Sequence, residues 1–381
     1  MQVLTAPALL QDHRLVSGWL AVNDDGRIAD VGAGRPHMPA SVRLPSGTLA
    51  PGLVDLQLNG AFGHDLAVSG AHEWDEVLRR LPELGVTAVV PTFVTAALQE
   101  LEASLQAAAA IVRPAGAARP LGVHLEGPYL SPVRPGAHRL DLLREPNPAE
   151  IDRIVEAGAD VLRYVTLAPE LPGALDAISR LRAAGVRVAI GHSDATDAQV
   201  VAAGDAGASL ITHLYNAQRP LSHRDPGVVG AALTDARFTV GLIADLEHVA
   251  PTALRLAFAA AGSRMALVSD AIRTLGLAAG CYEFAGDTVV VDAMGAPPRR
   301  EDGTLAGSAL HLAHAVSNTI SCGIDPVVAL LAATRNPADA IGATDVGRIE
   351  PGAHADLVWF DEDWTLRATW IGGRLVAGNP P

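Results

Sequence analysis

Eight short apolar runs alternate with segments of helical periodicity through the middle of this chain. The runs cover residues 53–58, 86–92, 121–125, 161–166, 186–191, 209–213, 238–243 and 265–269. Apolar strands that alternate with helices are typical of a parallel sheet, because each crossover between parallel strands uses a helix. Eight such units predict an α/β fold, a closed (β/α)8 or TIM barrel.

Apolar residues between the first two runs recur at the spacing of one helix face, at Trp74, Val77, Leu78 and Leu81. This spacing predicts an amphipathic helix whose apolar face packs on the barrel. We assign these residues to core packing and not to chemistry.

The two ends of the chain have a different pattern, with short alternating strands separated by turns such as Gly372-Gly373. Neither end has enough strands to bury a face alone. We therefore predict that residues 1–49 and 346–381 pair into one small β-sandwich domain, beside a catalytic barrel of residues 50–345.

Charge and cysteine content narrow the classes of partner. The formal net charge of -14 has the wrong sign for general binding to nucleic acid or anionic membranes, so an anionic substrate needs local positive groups. Only Cys281 and Cys322 occur, which leaves neither a disulfide framework nor a paired-cysteine zinc site. The start of the chain lacks a signal-peptide pattern, and no apolar run reaches membrane-spanning length. These features predict a soluble cytoplasmic protein.

Polar residues follow several of the predicted strands. Since active sites of TIM barrels lie at the carboxyl ends of the strands, these side chains should converge on one mouth. They are Gln57 and Asn59 after the first strand, His124 and Glu126 in the third, His192 after the fifth, His213 after the sixth and Asp270 after the eighth.

Glu126, His192 and His213 form a donor set of one carboxylate and two imidazoles. Such a set suits a catalytic zinc with a further coordination position for water. Any one of these histidines alone could be a hydrogen-bonded residue at a strand end, but their convergence favours metal ligation. His124 shares a face with Glu126 one step deeper, so we place it behind the metal or in the core.

Asp270 is the candidate general acid and base. A carboxylate in the metal mouth can accept a proton from attacking water and return it to a leaving nitrogen. The alternative is that Asp270 caps the N-terminus of a helix.

The chain also resembles the N-acetylglucosamine-6-phosphate deacetylases of the amidohydrolase superfamily, nearly from end to end. The resemblance rests on Pro51-Gly-Leu-Val-Asp-Leu-Gln-Leu-Asn-Gly60, His124-Leu-Glu-Gly-Pro128, Gly136-Ala-His138, Val165-Thr-Leu-Ala-Pro-Glu170, Gly191-His-Ser-Asp-Ala-Thr196, Thr212-His-Leu-Tyr-Asn-Ala217, Arg224-Asp-Pro-Gly227 and Asp302-Gly-Thr-Leu-Ala-Gly-Ser308.

The resemblance implies roles for individual residues. Glu126, His192 and His213 match the family's metal ligands, and Asp270 matches its catalytic aspartate. His138 matches a histidine that helps to polarise the acetyl carbonyl. Positions that hold the sugar phosphate are matched by Asn216, Ala217, Arg224 and His248. The resemblance further implies a homodimer in which Arg224 reaches the neighbouring subunit's active site.

Gln57-Leu58-Asn59 stands where many amidohydrolases carry His-x-His and bind a second metal. Amides are poor zinc ligands, and this variant is similar to the single-metal branch of the deacetylases. We expect one divalent ion per chain, zinc first, although the same ligands accept iron, cobalt or manganese. Gln57 and Asn59 should then contact water near the metal.

The segment 244–249 departs from the family pattern, because Leu246 and Glu247 stand where glycine and a less acidic residue are usual. A carboxylate beside a phosphate is unexpected, so Glu247 should turn away or pair with Arg219 or Arg273. Arg219 itself is either a phosphate contact or a surface residue. This departure leaves open which hexosamine isomer is preferred.

The resemblance implies a hydrolase that converts N-acetyl-D-glucosamine 6-phosphate to D-glucosamine 6-phosphate and acetate in amino-sugar catabolism. The alternatives are a different N-acetylhexosamine phosphate, another amidohydrolase substrate such as an N-acyl amino acid or cyclic ureide, and a noncatalytic sugar-phosphate sensor. Arg224 and His248 favour a phosphorylated substrate. Asp270 favours an enzyme over a sensor, because binding alone needs no proton-transfer group.

Overall fold

Eight parallel strands form the centre of the computed structural model, which describes residues 1–380. Their bounds are Leu53–Leu58, Val86–Val94, Val123–Glu126, Leu162–Leu167, Arg187–Ile190, Leu210–Ile211, Thr239–Ile243 and Met265–Val268. Each strand pairs with the next along the chain. The Asp270 amide donates to the Gln57 carbonyl at 2.9 Å and the Asn59 amide to the Ala271 carbonyl at 2.8 Å, which joins the eighth strand to the first. The predicted barrel is confirmed.

Helices follow the barrel strands and cover them from outside. Trp74, Val77 and Leu78, the predicted apolar stripe of the first helix, are all buried. The α-helices span Ala71–Arg80, Leu98–Ala109, Pro148–Ala157, Ala174–Ala183, Asp197–Ala206, Gly227–Thr234, Pro251–Ala261, Leu312–Ser321, Pro326–Ala332 and Arg335–Ala340. Short 3-10 helices lie at Leu81–Leu84, Leu140–Leu142 and Gly262–Arg264.

The two ends of the chain share one hydrogen-bonded eight-stranded sheet. Leu357–Phe360 runs antiparallel to Thr48–Pro51 and so joins the C-terminal strands to the N-terminal ones. The predicted boundary after residue 49 falls inside Thr48–Pro51. The strands are Gln2–Gln11, Arg14–Val22, Ile28–Ala33, Val42–Arg43, Thr48–Pro51, Leu357–Phe360, Leu366–Ile371 and Arg374–Gly378. They enclose a core of their own, which includes Leu20, Leu49 and Trp370.

A small antiparallel sheet that the sequence pattern did not predict follows the last barrel strand. Its strands are Gly280–Phe284, Asp287–Val291 and Arg299–Arg300. Three further short strands lie at Gly60–Ala61, His64–Asp65 and Arg119–Pro120. Such short strands carry too few residues for a clear period-two pattern. Over residues 1–380, no helix combines the length and the apolar character that a membrane span requires.

Candidate active site

Three of the polar residues predicted at strand ends lie where the backbone turns sharply out of the barrel wall. His192, His213 and Asp270 have φ angles of 47°, 24° and 49°, in the left-handed region that non-glycine residues rarely adopt. Such conformations cost free energy and cluster at functional sites. Here they follow directly on the barrel strands, and all three side chains line one cavity at the mouth.

Glu126, His192 and His213 meet in a buried cluster at this mouth. One Glu126 oxygen, Oε1, lies 2.9 Å from His213 Nε2 and 3.1 Å from His192 Nε2, and the two Nε2 atoms are 3.2 Å apart. Zinc bonds of about 2.0–2.2 Å in a tetrahedron set ligand atoms roughly 3.3 Å apart. The three donors are therefore spaced to bind a single metal ion. One carboxylate and two imidazoles are ligands that suit a divalent ion such as zinc.

Electrostatics also favour a cation in this cluster. Burial opposes a charge on His213, but the bond to Glu126 outweighs it and raises the pKa of His213 to about 9. Burial raises the pKa of Glu126, yet its bonds to His192 and His213 hold it well below its usual range. His192 Nδ1 lies 3.1 Å from the Arg134 carbonyl oxygen, a contact typical of the outer nitrogen of a metal-binding histidine. The carboxylate thus stays ionised and attracts a cation.

Asp270 lies beside this cluster and is held by two amides. Its Oδ1 accepts hydrogen bonds from Gln57 Nε2 at 3.0 Å and from Asn59 Nδ2 at 2.9 Å. Gln57 Nε2 also lies 3.1 Å from the second oxygen of Glu126. The two amides predicted to contact water therefore contact the carboxylates directly. No helix among residues 1–380 begins at Asp270, so the helix-cap interpretation is wrong.

Burial raises the pKa of Asp270 to about 7, and the nearby charge of Glu126 adds to this effect. His213 and the bond from Asn59 act in the opposite direction. A carboxylate whose pKa lies near neutrality can both accept and release a proton, which is what general acid and base catalysis needs.

His124 lies one layer deeper and belongs to the barrel core. Its Nδ1 is 3.1 Å from Thr92 Oγ1 and its Nε2 is 2.7 Å from Thr166 Oγ1, while its ring stacks on Tyr164 at 3.9 Å between centroids. Burial lowers the pKa of His124 to about 3. Both ring nitrogens are satisfied by hydroxyls, so this histidine is a neutral packing residue.

The mouth opens into a cavity of about 230 Å³. Its walls include His138, Asn216, Ala217 and His248, four of the residues that the resemblance assigned to the substrate. Arg224 is not among the lining residues; it is exposed in the loop after Ala217. One chain therefore brings together every predicted site residue at the mouth except Arg224.

Neighbouring loops hold the lining residues in place. A side chain at Gly136, which has a φ of 55°, would meet His192 Cε1 at 2.9 Å, so glycine lets this loop cross the metal ligand closely. Asn216 Nδ2 donates to the carbonyls of His213 and Leu214. His248 Nδ1 lies 2.6 Å from Asp245 Oδ2, which leaves its other nitrogen for the cavity.

The arginines around the mouth are largely neutralised by carboxylates. Glu247 pairs with Arg299 at 3.3 Å, so the predicted pairing with Arg219 or Arg273 is wrong. The partner comes from the small sheet that was not predicted. Arg219 pairs with Asp225 at 3.1 Å and does not line the cavity of its own chain.

Several cavity residues were missed by reasoning from the sequence. They are Thr95, Arg139, Phe284, Ala285, Thr304 and Leu305. The motif at 302–308 contained a signal for Thr304 and Leu305, since it formed part of the resemblance. Phe284 ends a strand of the small sheet, and the remaining residues lie on loops. Their approach to the mouth depends on tertiary contacts.

A parallel barrel that carries a carboxylate, two histidines and an isolated aspartate at its strand ends has the site of a metal-dependent hydrolase. A model of the amidohydrolase family matches residues 48–376, and the chain belongs to this family. Its relatives within the family include deacetylases of two N-acetylhexosamine phosphates.

One relative is an N-acetylgalactosamine-6-phosphate deacetylase from Escherichia coli, 38% identical over 99% of this chain and 98% of that protein. An N-acetylglucosamine-6-phosphate deacetylase from Vibrio furnissii is 38% identical over 94% of this chain and 90% of its own length. A solved N-acetylglucosamine-6-phosphate deacetylase from Mycobacterium smegmatis has a TM-score of 0.93 and 37% identity, with 99% of this chain and 100% of that chain covered.

Proposed function

We propose that this enzyme hydrolyses the acetamide of N-acetyl-D-glucosamine 6-phosphate and releases D-glucosamine 6-phosphate and acetate. The observation that carries the proposal is Asp270, a buried carboxylate of near-neutral pKa beside a Glu-His-His cluster. The names of the full-length relatives support the substrate, as does a Mycobacterium smegmatis mutant structure in complex with N-acetyl-D-glucosamine 6-phosphate. That structure shares 35% identity with this chain at a TM-score of 0.92.

One divalent ion, with zinc as the first candidate, would be held by Glu126, His192 and His213. When bound, such an ion supplies Lewis acidity to a carbonyl oxygen and lowers the pKa of water. Gln57 and Asn59 occupy the positions at which a second metal would need histidines, and their amides are already used by Asp270. This arrangement supports a single ion per chain. The chain has only two cysteines, Cys281 and Cys322, and we propose a cytoplasmic location for it.

Asp270 carries the proton through the reaction. As water attacks the acetyl carbon, the carboxylate accepts a proton from it, and the tetrahedral carbon forms. Asp270 then gives that proton to the amide nitrogen, the C–N bond breaks, and the amine leaves with acetate as the second product. Since the two amide donors occupy Oδ1, Oδ2 is the oxygen free to carry the proton. His138, which lines the same cavity, would contact the acetyl group.

Phosphate binding needs a cation that the cavity of one chain does not supply in unpaired form. Arg139, Arg299 and His248 each pair with a carboxylate of their own chain. Arg224 makes no salt bridge within residues 1–380 and is exposed. We therefore keep the proposal of a homodimer in which Arg224 binds the phosphate in the neighbouring active site.

A substrate panel tests the activity directly. Acetate release should be fastest with N-acetylglucosamine 6-phosphate, slower with the galactosamine isomer, and much slower with unphosphorylated N-acetylglucosamine. Asp270→Asn at equal metal content is the control. The galactosamine isomer is the second candidate because a relative with that name is 38% identical over nearly the full length. No acetate release from any N-acetylhexosamine phosphate by metal-loaded enzyme would overturn the proposal.

A further inference from the structure

Glu170 is a half-buried carboxylate that no step of the proposed reaction uses. It lies just beyond the fourth barrel strand, Leu162–Leu167, and does not line the cavity. It belongs to one of the motifs that carry the family resemblance, yet neither the sequence pattern nor the resemblance assigned it a role. Its contacts all lie in the turn that follows His192, one of the three residues of the metal cluster.

Both oxygens of this carboxylate accept hydrogen bonds from that turn. Oε1 accepts the backbone N–H of Asp194 at 2.6 Å, and Oε2 accepts the hydroxyl of Ser193 at 2.7 Å. The Ser193 oxygen in turn accepts the N–H of Ala195 at 3.0 Å. An amide N–H can only donate, so the single proton of the hydroxyl goes to the carboxylate and each of these groups is matched.

The turn fixes a metal ligand whose backbone is strained. His192 has a φ of 47°, a conformation that persists only where the surrounding structure supports it. Its Nδ1 lies 3.1 Å from the Arg134 carbonyl, and Arg134 Nε donates to Asp194 at 2.8 Å. Because a carbonyl only accepts, Nδ1 carries a proton, and Nε2 is the nitrogen that faces the metal cluster. Glu170 thus holds the residue to which Arg134 is anchored.

We propose that Glu170 is a positioning residue that holds this turn so that His192 Nε2 is kept in place for the divalent ion. Without it the turn can relax, and metal binding must then restore the ligand geometry. The Ser193 backbone is anchored separately, by the Ala217 carbonyl at 3.1 Å and the Arg219 N–H at 3.0 Å. We therefore expect a weakened metal site and not an unfolded turn. The inference rests on the metal of the proposed function and not on its substrate.

Zinc affinity, measured by competition with a chromophoric chelator, tests this role without any substrate. Loss of a group that orients a metal ligand weakens metal binding by about ten- to a hundredfold, and Glu170→Gln should raise the Kd for zinc by this factor. Glutamine has the same size but replaces one acceptor with a donor. Glu170→Asp keeps the charge but is one methylene shorter, so it should also weaken binding. Ser193→Ala removes one of the two contacts and should raise Kd by about three- to tenfold.

The terminal β domain contains a matched control. Asp361 Oδ1 accepts the N–H groups of Asp363 and Thr365 at 3.0 and 2.9 Å, so this carboxylate also holds a turn through backbone amides. Asp361→Asn should lower the melting temperature and leave the Kd for zinc unchanged. Visible spectra of the Co²⁺-loaded enzyme give a second readout, because the same ligands accept cobalt. The spectrum should change in Glu170→Gln and match the wild type in Asp361→Asn.

Wild-type zinc affinity in folded Glu170→Gln would overturn the proposal. Wild-type affinity in Glu170→Asp would do so as well, since charge and not position would then be what matters. If Glu170→Gln does not fold, Ser193→Ala decides by the same measurement. A wild-type enzyme that binds zinc but deacetylates no hexosamine phosphate would refute the proposed activity and leave this test intact. A wild-type enzyme that binds no divalent ion would refute both.

Discussion

Two layers of the same barrel each bury histidines, with opposite electrostatic results. In the lower layer, His124 bonds to the hydroxyls of Thr92 and Thr166, and burial lowers its pKa to about 3. At the mouth, His213 is equally buried, but Glu126 lies 2.9 Å away and its pKa rises to about 9. Burial alone produces a neutral histidine; an adjacent carboxylate produces a site that attracts a cation.

The backbone conformation also differs between the two layers. His124 and Thr166 lie inside regular strands, whereas His192, His213 and Asp270 have left-handed φ angles just beyond their strands. Regular strands supply a rigid floor, and the strained turns above it aim the reactive side chains. The comparison predicts that substitutions at the mouth change activity and that those in the floor change stability.

The largest expected effect is loss of the metal. His213→Ala or His192→Ala should remove the bound ion and reduce deacetylation to background, because three donors are needed to hold an open site. Metal analysis of purified wild-type enzyme should give about one divalent ion per chain.

The floor provides the control for this experiment. His124→Ala should keep the metal and most of kcat, yet lower the free energy of unfolding by roughly 3 kcal/mol, because it opens a cavity and strands two hydroxyls. Metal loss in His124→Ala would break the distinction between the layers. Two tightly bound ions in the wild-type enzyme would contradict the proposal of a single ion per chain.

The next effect concerns Asp270. Asp270→Asn keeps the size of the side chain but cannot carry a proton, so kcat should fall by about a hundredfold or more. Metal content should stay near the wild-type value. Near-normal kcat in metal-loaded Asp270→Asn would move the proton-transfer role elsewhere, with His138 as the first replacement.

The pH profile sharpens the same assignment. A base acts in its ionised form, so kcat should fall as the pH drops through the pKa of Asp270. Without a cation in the cluster that pKa is raised to about 7, and a bound cation lowers it, since positive charge favours the carboxylate. The acidic limb of the wild-type profile should therefore lie at or below about pH 7, and Asp270→Asn should weaken it.

The contrast between the layers also explains what the sequence could predict. The barrel followed from apolar runs, and the Glu126-His192-His213 cluster and Asp270 followed from their positions in or after those runs. The other substrate-site residues at the mouth came only from the resemblance to the family. The small sheet at 280–300 has strands of five residues or fewer. It lines the cavity with Phe284, and its Arg299 pairs with Glu247, a residue 52 positions away. Thr95 was missed because a threonine after a strand is ordinary until the His138 loop folds onto it. Local patterns carry no information on such loop contacts.

Arg224 brings a second subunit into the comparison. Its substitution should reduce activity less than the substitution of Asp270. A charge-assisted contact to phosphate is worth roughly 1.5–3 kcal/mol, so Arg224→Ala should raise KM for the phosphorylated sugar by about ten- to a hundredfold. Residual turnover of the unphosphorylated sugar should change little. Equal effects on both sugars would remove Arg224 from the phosphate site.

Mixed dimers test which subunit Arg224 serves. When Arg224→Ala is refolded or coexpressed with His213→Ala, a mixed dimer pairs an intact metal cluster with an intact Arg224 from the other subunit. Activity should then exceed that of either variant alone. If the mixture is no more active than Arg224→Ala alone at low substrate concentration, Arg224 does not act across an interface.

The smallest expected effect lies at the rim, where Glu247 raised the question of a carboxylate beside a phosphate. The side chains of Arg299 and Glu247 are 40% and 56% exposed. Exposed ion pairs contribute at most about 1 kcal/mol. Because Arg299 neutralises Glu247, Glu247→Gln should leave kcat unchanged and lower KM for the phosphorylated sugar by no more than about threefold, an effect that salt should weaken. Arg299→Gln frees the carboxylate and should raise KM by a similar factor. Kinetics of both variants at low and high ionic strength check this. A change in KM above tenfold in Glu247→Gln would mean that the Glu247 carboxylate faces the bound phosphate. It would also mean that Arg299 of the small sheet does not neutralise this carboxylate.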